Sequence, residues 1–326
     1  MIKFLDKLSE VNGFIIKNRS LYWISNDKLF YEQVQNKIES IDFPSNVIYL
    51  VEGLVFSGKN FYFDTKTFTV NIIEQLEGYY YANLSNEELF LFSGSDLVIY
   101  NHETKRIEWK QNYIEDCSIS LLKESYFITY SEFQIECYDF ICNATKWKLS
   151  NLDLCDSSES FFSPEIILHQ DKLFINVISN GNFKNYIVDI FKGHLLKEYS
   201  GLYGQMFLEK DLLYFLSSDD ISILNIETEV IETFSIRDIF ESTEIKRLQF
   251  PKWTVQNGLI YFTQSGGVDV HSGSRGAIFG AFDPKNMKIL WHESLPKEHG
   301  LIGDIQVENE RIYIHTQDKT LFTFEL

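Results

Sequence analysis

Cysteine is scarce in this sequence. The four present, Cys117, Cys137, Cys142 and Cys155, form no CxxC pair and have no histidine at finger-like spacing. That excludes a zinc-finger framework, and the thiols read as reduced and mostly packed. Long apolar runs are missing as well: no stretch approaches the roughly 18 uncharged apolar residues of a membrane span. The start, Met1 to Leu8, breaks its apolar residues with charges, unlike a secretory signal. The expected location is cytoplasmic, with no membrane contact.

Basic residues are outnumbered. Lys and Arg total 29 against 47 Asp and Glu, a formal net charge of -18. This argues against nucleic acid as a partner, because phosphate binding needs clustered cations. Phosphate-cradling motifs are absent too: there is neither a GxxxxGK[ST] loop nor a GxGxxG turn. A sialidase-type Asp box is missing, since the Ser217-Ser218-Asp219-Asp220 turn has neither its Gly nor its Trp. His102, His169, His194, His292, His299 and His315 are scattered rather than clustered, which gives no metal site. No cofactor is expected.

Proline and glycine, at 5 and 17 residues, are sparse beside 28 Phe and 18 Tyr, and 44% of the chain is hydrophobic. That balance points to a β-rich globular protein. One pattern recurs: a short apolar strand, a polar turn, and a second apolar strand ending in Asp, Asn or Glu. It appears at Leu21 to Glu32, Leu54 to Asp64, Leu89 to Asn101, Tyr126 to Asp139, Leu173 to Asp189, Leu212 to Asn225, Leu259 to Asp283 and Ile312 to Glu325. The unit is roughly 36 to 40 residues with two larger insertions, the period of four-stranded propeller blades. Runs such as 46–50 and 78–81 would supply innermost strands.

The closing residues Asp64, Asn101, Asp139, Asp189, Asn225 and Asp283 have a physical task. Their side chains can accept hydrogen bonds from backbone N–H groups two residues on and so start the next turn. Three of the five tryptophans then stand in register, since Asn101 to Trp109, Asp139 to Trp147 and Asp283 to Trp291 are each eight residues apart. A flat side chain there can cover the gap between neighbouring blades.

The segments Asp283 to Trp291 and Arg311 to Phe322 together resemble the repeat of PQQ-like β-propellers, most clearly over the last 50 or so residues. That repeat has a turn glycine, kept here at Gly193 and read as replaced by Lys66, Lys105 and Asn286. The resemblance implies one all-β domain over residues 1–326. It would be a propeller of eight four-stranded antiparallel blades, or seven if the first unit, Val11 to Ile41, is misread, with Ile2 to Leu5 closing the ring. It extends to the repeat and not to the reaction, because the adjacent-cysteine and metal signatures of the quinoprotein enzymes are missing.

Strand parity puts four longer loops on one face: Asn151 to Pro164, Ser179 to Lys184, Ile236 to Lys252 and Gln264 to Arg275. Elaborated loops are the place to expect recognition. The candidate binding residues on them are Phe161, Phe162, Phe240, Phe250, Trp253, Asp269, His271 and Arg275. A hydrolytic reading would make His271 a base oriented by Asp269, but no nucleophile elbow or metal partner accompanies them, so no catalytic residue is assigned. The reading that follows is a monomeric, non-enzymatic scaffold binding another protein, with a basic partner favoured by the charge. One version is an immunity-type protein against a bacterial toxin. The competing reading is a small-molecule-binding or hydrolytic propeller with a site at the funnel mouth.

Overall fold

A computed structural model of the chain describes residues 2–326 apart from 18–19, 34–36, 46–47, 52–53, 58–59, 78–79, 85–87, 94–95, 102–103, 113–117, 122–124, 156, 158, 241–242, 244, 246–247 and 265–275. Among the described residues the strands form eight four-stranded antiparallel sheets. Sheet 1 consists of Gly13–Lys17, Ser20–Ser25, Lys28–Gln33 and Lys37–Asp42, and sheet 2 of Ile48–Val51, Leu54–Ser57, Phe61–Asp64 and Thr69–Ile72. Sheet 3 holds Tyr80–Leu84, Glu88–Ser93, Asp96–Asn101 and Arg106–Asn112, and sheet 4 holds Ser118–Leu121, Tyr126–Tyr130, Gln134–Asp139 and Ala144–Ser150. Sheet 5 comprises Phe161–His169, Lys172–Ser179, Asn182–Asp189 and Leu195–Ser200, and sheet 6 comprises Gln205–Glu209, Leu212–Leu216, Asp220–Asn225 and Ile231–Ser235. Sheet 7 contains Trp253–Gln256, Leu259–Gln264, Ile278–Asp283 and Lys288–Ser294. Sheet 8 contains Ile302–Glu308, Arg311–Thr316 and Leu321–Glu325, and takes Lys3–Leu8 as its fourth strand. In that sheet Lys3 pairs with Glu325 and Leu8 with Leu321, antiparallel.

Inner strands such as Leu212–Leu216 are apolar without interruption because both faces of their sheet are covered. Sheet 8 shows this directly. Ile312 and Ile314 pack with Tyr261, Phe279 and Ala281 of sheet 7, whereas Tyr313 and Leu321 pack with Val11 and with Trp23 of sheet 1. An alternating polar residue would be buried on one side or the other, at a cost of roughly 1–3 kcal/mol without a partner. Hence Leu212-Leu213-Tyr214-Phe215-Leu216 carries no polar break, and four of its five residues are 1% exposed or less.

The chain forms two compact units. One is Met1–Ser40 with Tyr203–Leu326, and the other is Ile41–Leu202. In the second unit, neighbouring sheets are joined face to face by separate clusters: Phe56 with Val98 and Tyr100, Leu97 and Ile99 with Phe127, and Ile135 and Cys137 with Leu173, Ile175 and Tyr186. In the first unit Tyr214, Ile223, Ile260, Phe262 and Phe282 share one core.

One of the expected loops is not a loop, and another is shorter than expected. Ser179 to Lys184 is a tight turn through Asn180 and Gly181, both at positive φ, between two eight-residue strands. The extra length lies in the strands, whose ladder runs unbroken from Lys172–Asp189 to Ser179–Asn182. The 151–164 segment begins with a short helix, Asn151–Leu154, closed by a capping box in which the Ser150 hydroxyl accepts from the Asp153 amide. It then becomes the first strand of sheet 5 at Phe161.

Candidate functional site

Each sheet has two ends, and they are built differently. At one end, the turn from third to fourth strand is started by the closing carboxylate or amide. Asp64 Oδ1 accepts from Lys66 N at 2.8 Å, Asn101 Oδ1 from Thr104 N at 2.9 Å, and Asp139 Oδ1 from Ile141 and Cys142 N at 3.0 Å. Asp189 Oδ1 accepts from Phe191 and Lys192 N at 2.9 Å, Asn225 Oδ1 from Thr228 N at 2.9 Å, and Asp283 Oδ1 from Lys285 N at 2.9 Å. The residue four places on then turns left-handed: Phe68, Lys105, Asn143, Gly193, Glu229 and Met287 all have φ between 51° and 68°. The repeat's turn glycine therefore corresponds to Phe68 and Met287, not to Lys66 and Asn286. Lys66 and Asn286 are instead amide donors to the capping oxygen within the Asx turn.

The indoles stand on the fourth strands at one register. Trp109 pairs with Ile99, Trp147 with Cys137 and Trp291 with Ala281, each time with a bulge directly after the paired residue of the third strand. The bulge absorbs one extra residue and re-aims the ring along the sheet face. Trp109 Nε1 donates to Asn143 Oδ1 at 3.2 Å and Trp147 Nε1 to Ile190 O at 2.8 Å, so each ring reaches the Asx turn of the following sheet. Trp291 packs against Tyr261 and Phe279.

At the other end a hydroxyl closes the turn between second and third strands. Ser57 Oγ donates to Phe61 O at 2.8 Å, Ser131 Oγ to Gln134 O at 3.4 Å, Ser217 Oγ to Asp220 O at 2.8 Å and Thr316 Oγ1 to Thr320 O at 3.0 Å. Ser25 and Ser179 stand at the same point in sheets 1 and 5. The hydroxyl at the end of the second strand is itself a sequence signal, at Ser57, Ser131, Ser217 and Thr316.

The segment from Ile236 to Lys252 lies at this hydroxyl end. Its helix, Ile236–Phe240, and the residues Ile245 and Leu248 fold back onto Phe262, Ile278 and Phe282. Phe240 is 1% exposed and Trp253, which opens the first strand of sheet 7, is 6% exposed. Phe162 is 2% exposed in the core against Val177. These three expected contact residues are core residues: their apolar area is worth more against the sheet ends than in water. Phe161, its neighbour, alternates outward and is exposed. Asp269, His271 and Arg275 lie outside the described residues.

Phe250 is more exposed still, at 77%, and has φ 47. The backbone on either side of it is pinned. Gln249 N donates to Gln264 Oε1 and Lys252 N to Thr263 Oγ1, both at 2.8 Å, and Thr263 N returns a bond to Lys252 O at 3.0 Å. A bulky residue in the left-handed region costs about 1–2 kcal/mol. Phe250 and Pro251 border a groove of about 600 Å³, floored by Leu216, Leu248 and Trp253, with Gln205, Ser217, Ser218 and Gln249 supplying donors and acceptors.

A polar network ties the N-terminal strand into sheet 8. His299 is 6% exposed, with Nδ1 2.7 Å from Asp318 Oδ2 and Nε2 3.0 Å from Lys7 Nζ. Burial pushes the Asp318 carboxyl up, but hydrogen bonds from Thr316, His299 and Thr320 outweigh it and bring the group to about 2. The His299 ring packs edge-on to Phe322 at 4.8 Å. No group of three His, Cys, Asp or Glu suited to a metal occurs among the described residues. None of their helices is long and apolar enough to cross a membrane.

No protein-family model matches the sequence, and no curated protein matches it. Among solved structures, the chain is similar to that of BamB from Moraxella catarrhalis, with a TM-score of 0.65, 10% identity and 100% of both chains covered. It is also similar to the dihydro-heme d1 dehydrogenase NirN in complex with DHE, with a TM-score of 0.57, 10% identity, and 87% of this chain and 66% of that one covered. At such identity the likeness establishes the fold alone. Together with the four-stranded antiparallel sheets, it defines the chain as a β-propeller.

Proposed function

We propose that this propeller is a PQQ-like, eight-bladed ring closed by the Lys3–Leu8 strand, and that it works as a cytoplasmic, non-enzymatic scaffold that captures a basic protein. The contact site in this reading is the Phe250 groove. Phe250 carries it: an exposed aromatic ring held in an unfavourable backbone conformation by bonds on both flanks is a cost with no return inside the fold. An exposed ring beside an apolar floor with a polar rim is the make-up of an interaction hot spot. A net charge of -18 would raise the capture rate of a cationic partner. Neutralisation of a basic toxin is one activity of this kind.

The test places a photo-crosslinking amino acid at Phe250 and, in a second variant, at Met287 in the Asx turn at the other end of sheet 7. A discrete protein adduct from position 250 only, with a basic partner and a yield that falls as salt rises, is the expected result. An adduct from position 287 only, or none from either, overturns the reading.

A further inference from the structure

We propose that the cleft between the outer strand of sheet 6 and the Asx turn of sheet 7 is a receptor site for a planar aromatic group of indole size. In sheets 3, 4 and 7 the residue facing the third strand two places before the closing acid or amide is tryptophan. In sheet 6 that place, opposite Ile223, is Glu232, and the ladder passes through it with no bulge. Where sheets 3 and 4 send an indole to the turn of the next sheet, sheet 6 sends a carboxylate, and a cavity of about 420 Å³ remains. That volume falls within the range of ligand pockets, roughly 300–1,000 Å³.

The walls fit such a guest. Leu212, Tyr214, Ile223 and Phe234 supply apolar and aromatic surface, and Pro284 and Lys285 close the cleft from sheet 7. Pro284 follows Asp283 as Ile190 follows Asp189, and the Ile190 carbonyl is the acceptor for the Trp147 N–H. An indole in the cleft would find the Pro284 carbonyl in the corresponding place. A second vacancy supports the relation. In sheet 2 the equivalent residue is Asn71, opposite Tyr62, and a cavity of about 330 Å³ opens there as well. Its lining includes Glu74, Gln75 and Lys105, so the more apolar cleft of sheets 6 and 7 is the better aromatic receptor. This site is separate from the Phe250 groove and does not depend on the function proposed for it.

The test is fluorine NMR of 5-fluoroindole titrated with the full chain. Saturable broadening of the fluorine resonance is expected, weakened at least tenfold by Glu232→Trp, which fills the cleft from within, and unchanged by Asn71→Trp. Should Glu232→Trp fail to fold, Val230→Arg keeps the test open. Val230 is 55% exposed at the mouth, and its replacement should weaken binding at least fivefold. N-acetyl-5-fluorotryptophanamide is titrated in parallel. Binding equal to that of free indole assigns the site to a partner's tryptophan side chain, and loss of binding assigns it to a free aromatic molecule. No saturable change with the unmodified chain, or equal binding by the folded cleft variants, overturns the proposal.

Discussion

The indole of Trp147 covers Gly193 so closely that a Cβ added to that glycine would meet its Cγ and Cδ2 at 2.7 Å. This contact explains why one turn of the series keeps glycine while the others carry Phe, Lys, Asn, Glu and Met at the same left-handed position. Backbone preference alone does not select glycine here; the ring of the preceding sheet does. Gly193→Ala should cost about 2–3 kcal/mol, combining left-handed strain with displacement of the ring. Met287→Gly relieves the same strain where no ring intrudes, and should gain about 0.5 kcal/mol after the added chain entropy. Denaturant unfolding of the two variants checks the opposite signs.

The same ring supplies the next expectation. Trp147→Phe removes the N–H that satisfies Ile190 O and leaves a void, so it should destabilise by about 2–3 kcal/mol. Among the described residues Trp291 makes ring contacts but no such donation, and Trp291→Phe should cost about 1 kcal/mol. Equal losses would mean that the indole acts by volume alone.

Acid sensitivity follows from two carboxylates. Backbone donation from Cys142, with help from the Cys142 side chain and Lys146, holds Asp139 down at about 2 against its burial, and Asp318 is held there by its own donors. Both pKa values lie below the ordinary 3.8, so their stabilisation is complete above about pH 4 and lost as pH falls toward 2. Asp139→Asn should flatten that acid limb while keeping the turn, because Asn101 and Asn225 already cap equivalent turns with an amide oxygen. Melting temperature from pH 2 to 6 reads this out.

The hairpins were legible because a strand buried on both faces must be apolar without interruption, as Leu212 to Leu216 is. The turns were legible because only a short acceptor side chain can cap them. What hydropathy could not separate was Phe240 and Trp253 from Phe250: all three sit in or beside one aromatic-rich segment, and burial depends on which of them the segment folds inward. The cleft left by Glu232 was hidden for another reason. Its recognition needs the bulges, since spacing from Asn225 alone points to Thr233.

That distinction gives a direct stability contrast. Phe162→Ala and Phe240→Ala should each cost about 3–5 kcal/mol as large-to-small core changes. Phe250→Ala should stay within about 0.5 kcal/mol of the parent, because the ring contacts water and not the core. Chemical denaturation of the three variants decides, and a large loss at Phe250 would remove it as a contact residue.

Asn176 and Asn185 face each other across the second and third strands of sheet 5, both buried, and the side-chain carbonyl of each has no hydrogen-bond partner among the described residues. An orphaned buried acceptor costs about 1–3 kcal/mol, whereas replacing it by an apolar group of similar shape removes that cost. Asn176→Leu should therefore gain about 1 kcal/mol. Asn185 differs, because its amide donates to Leu202 O, so Asn185→Leu strands a backbone carbonyl as it removes the orphan and should bring no gain. A loss with Asn176→Leu would instead mean that a buried water bridges the two oxygens, since displacing it breaks bonds that leucine cannot replace.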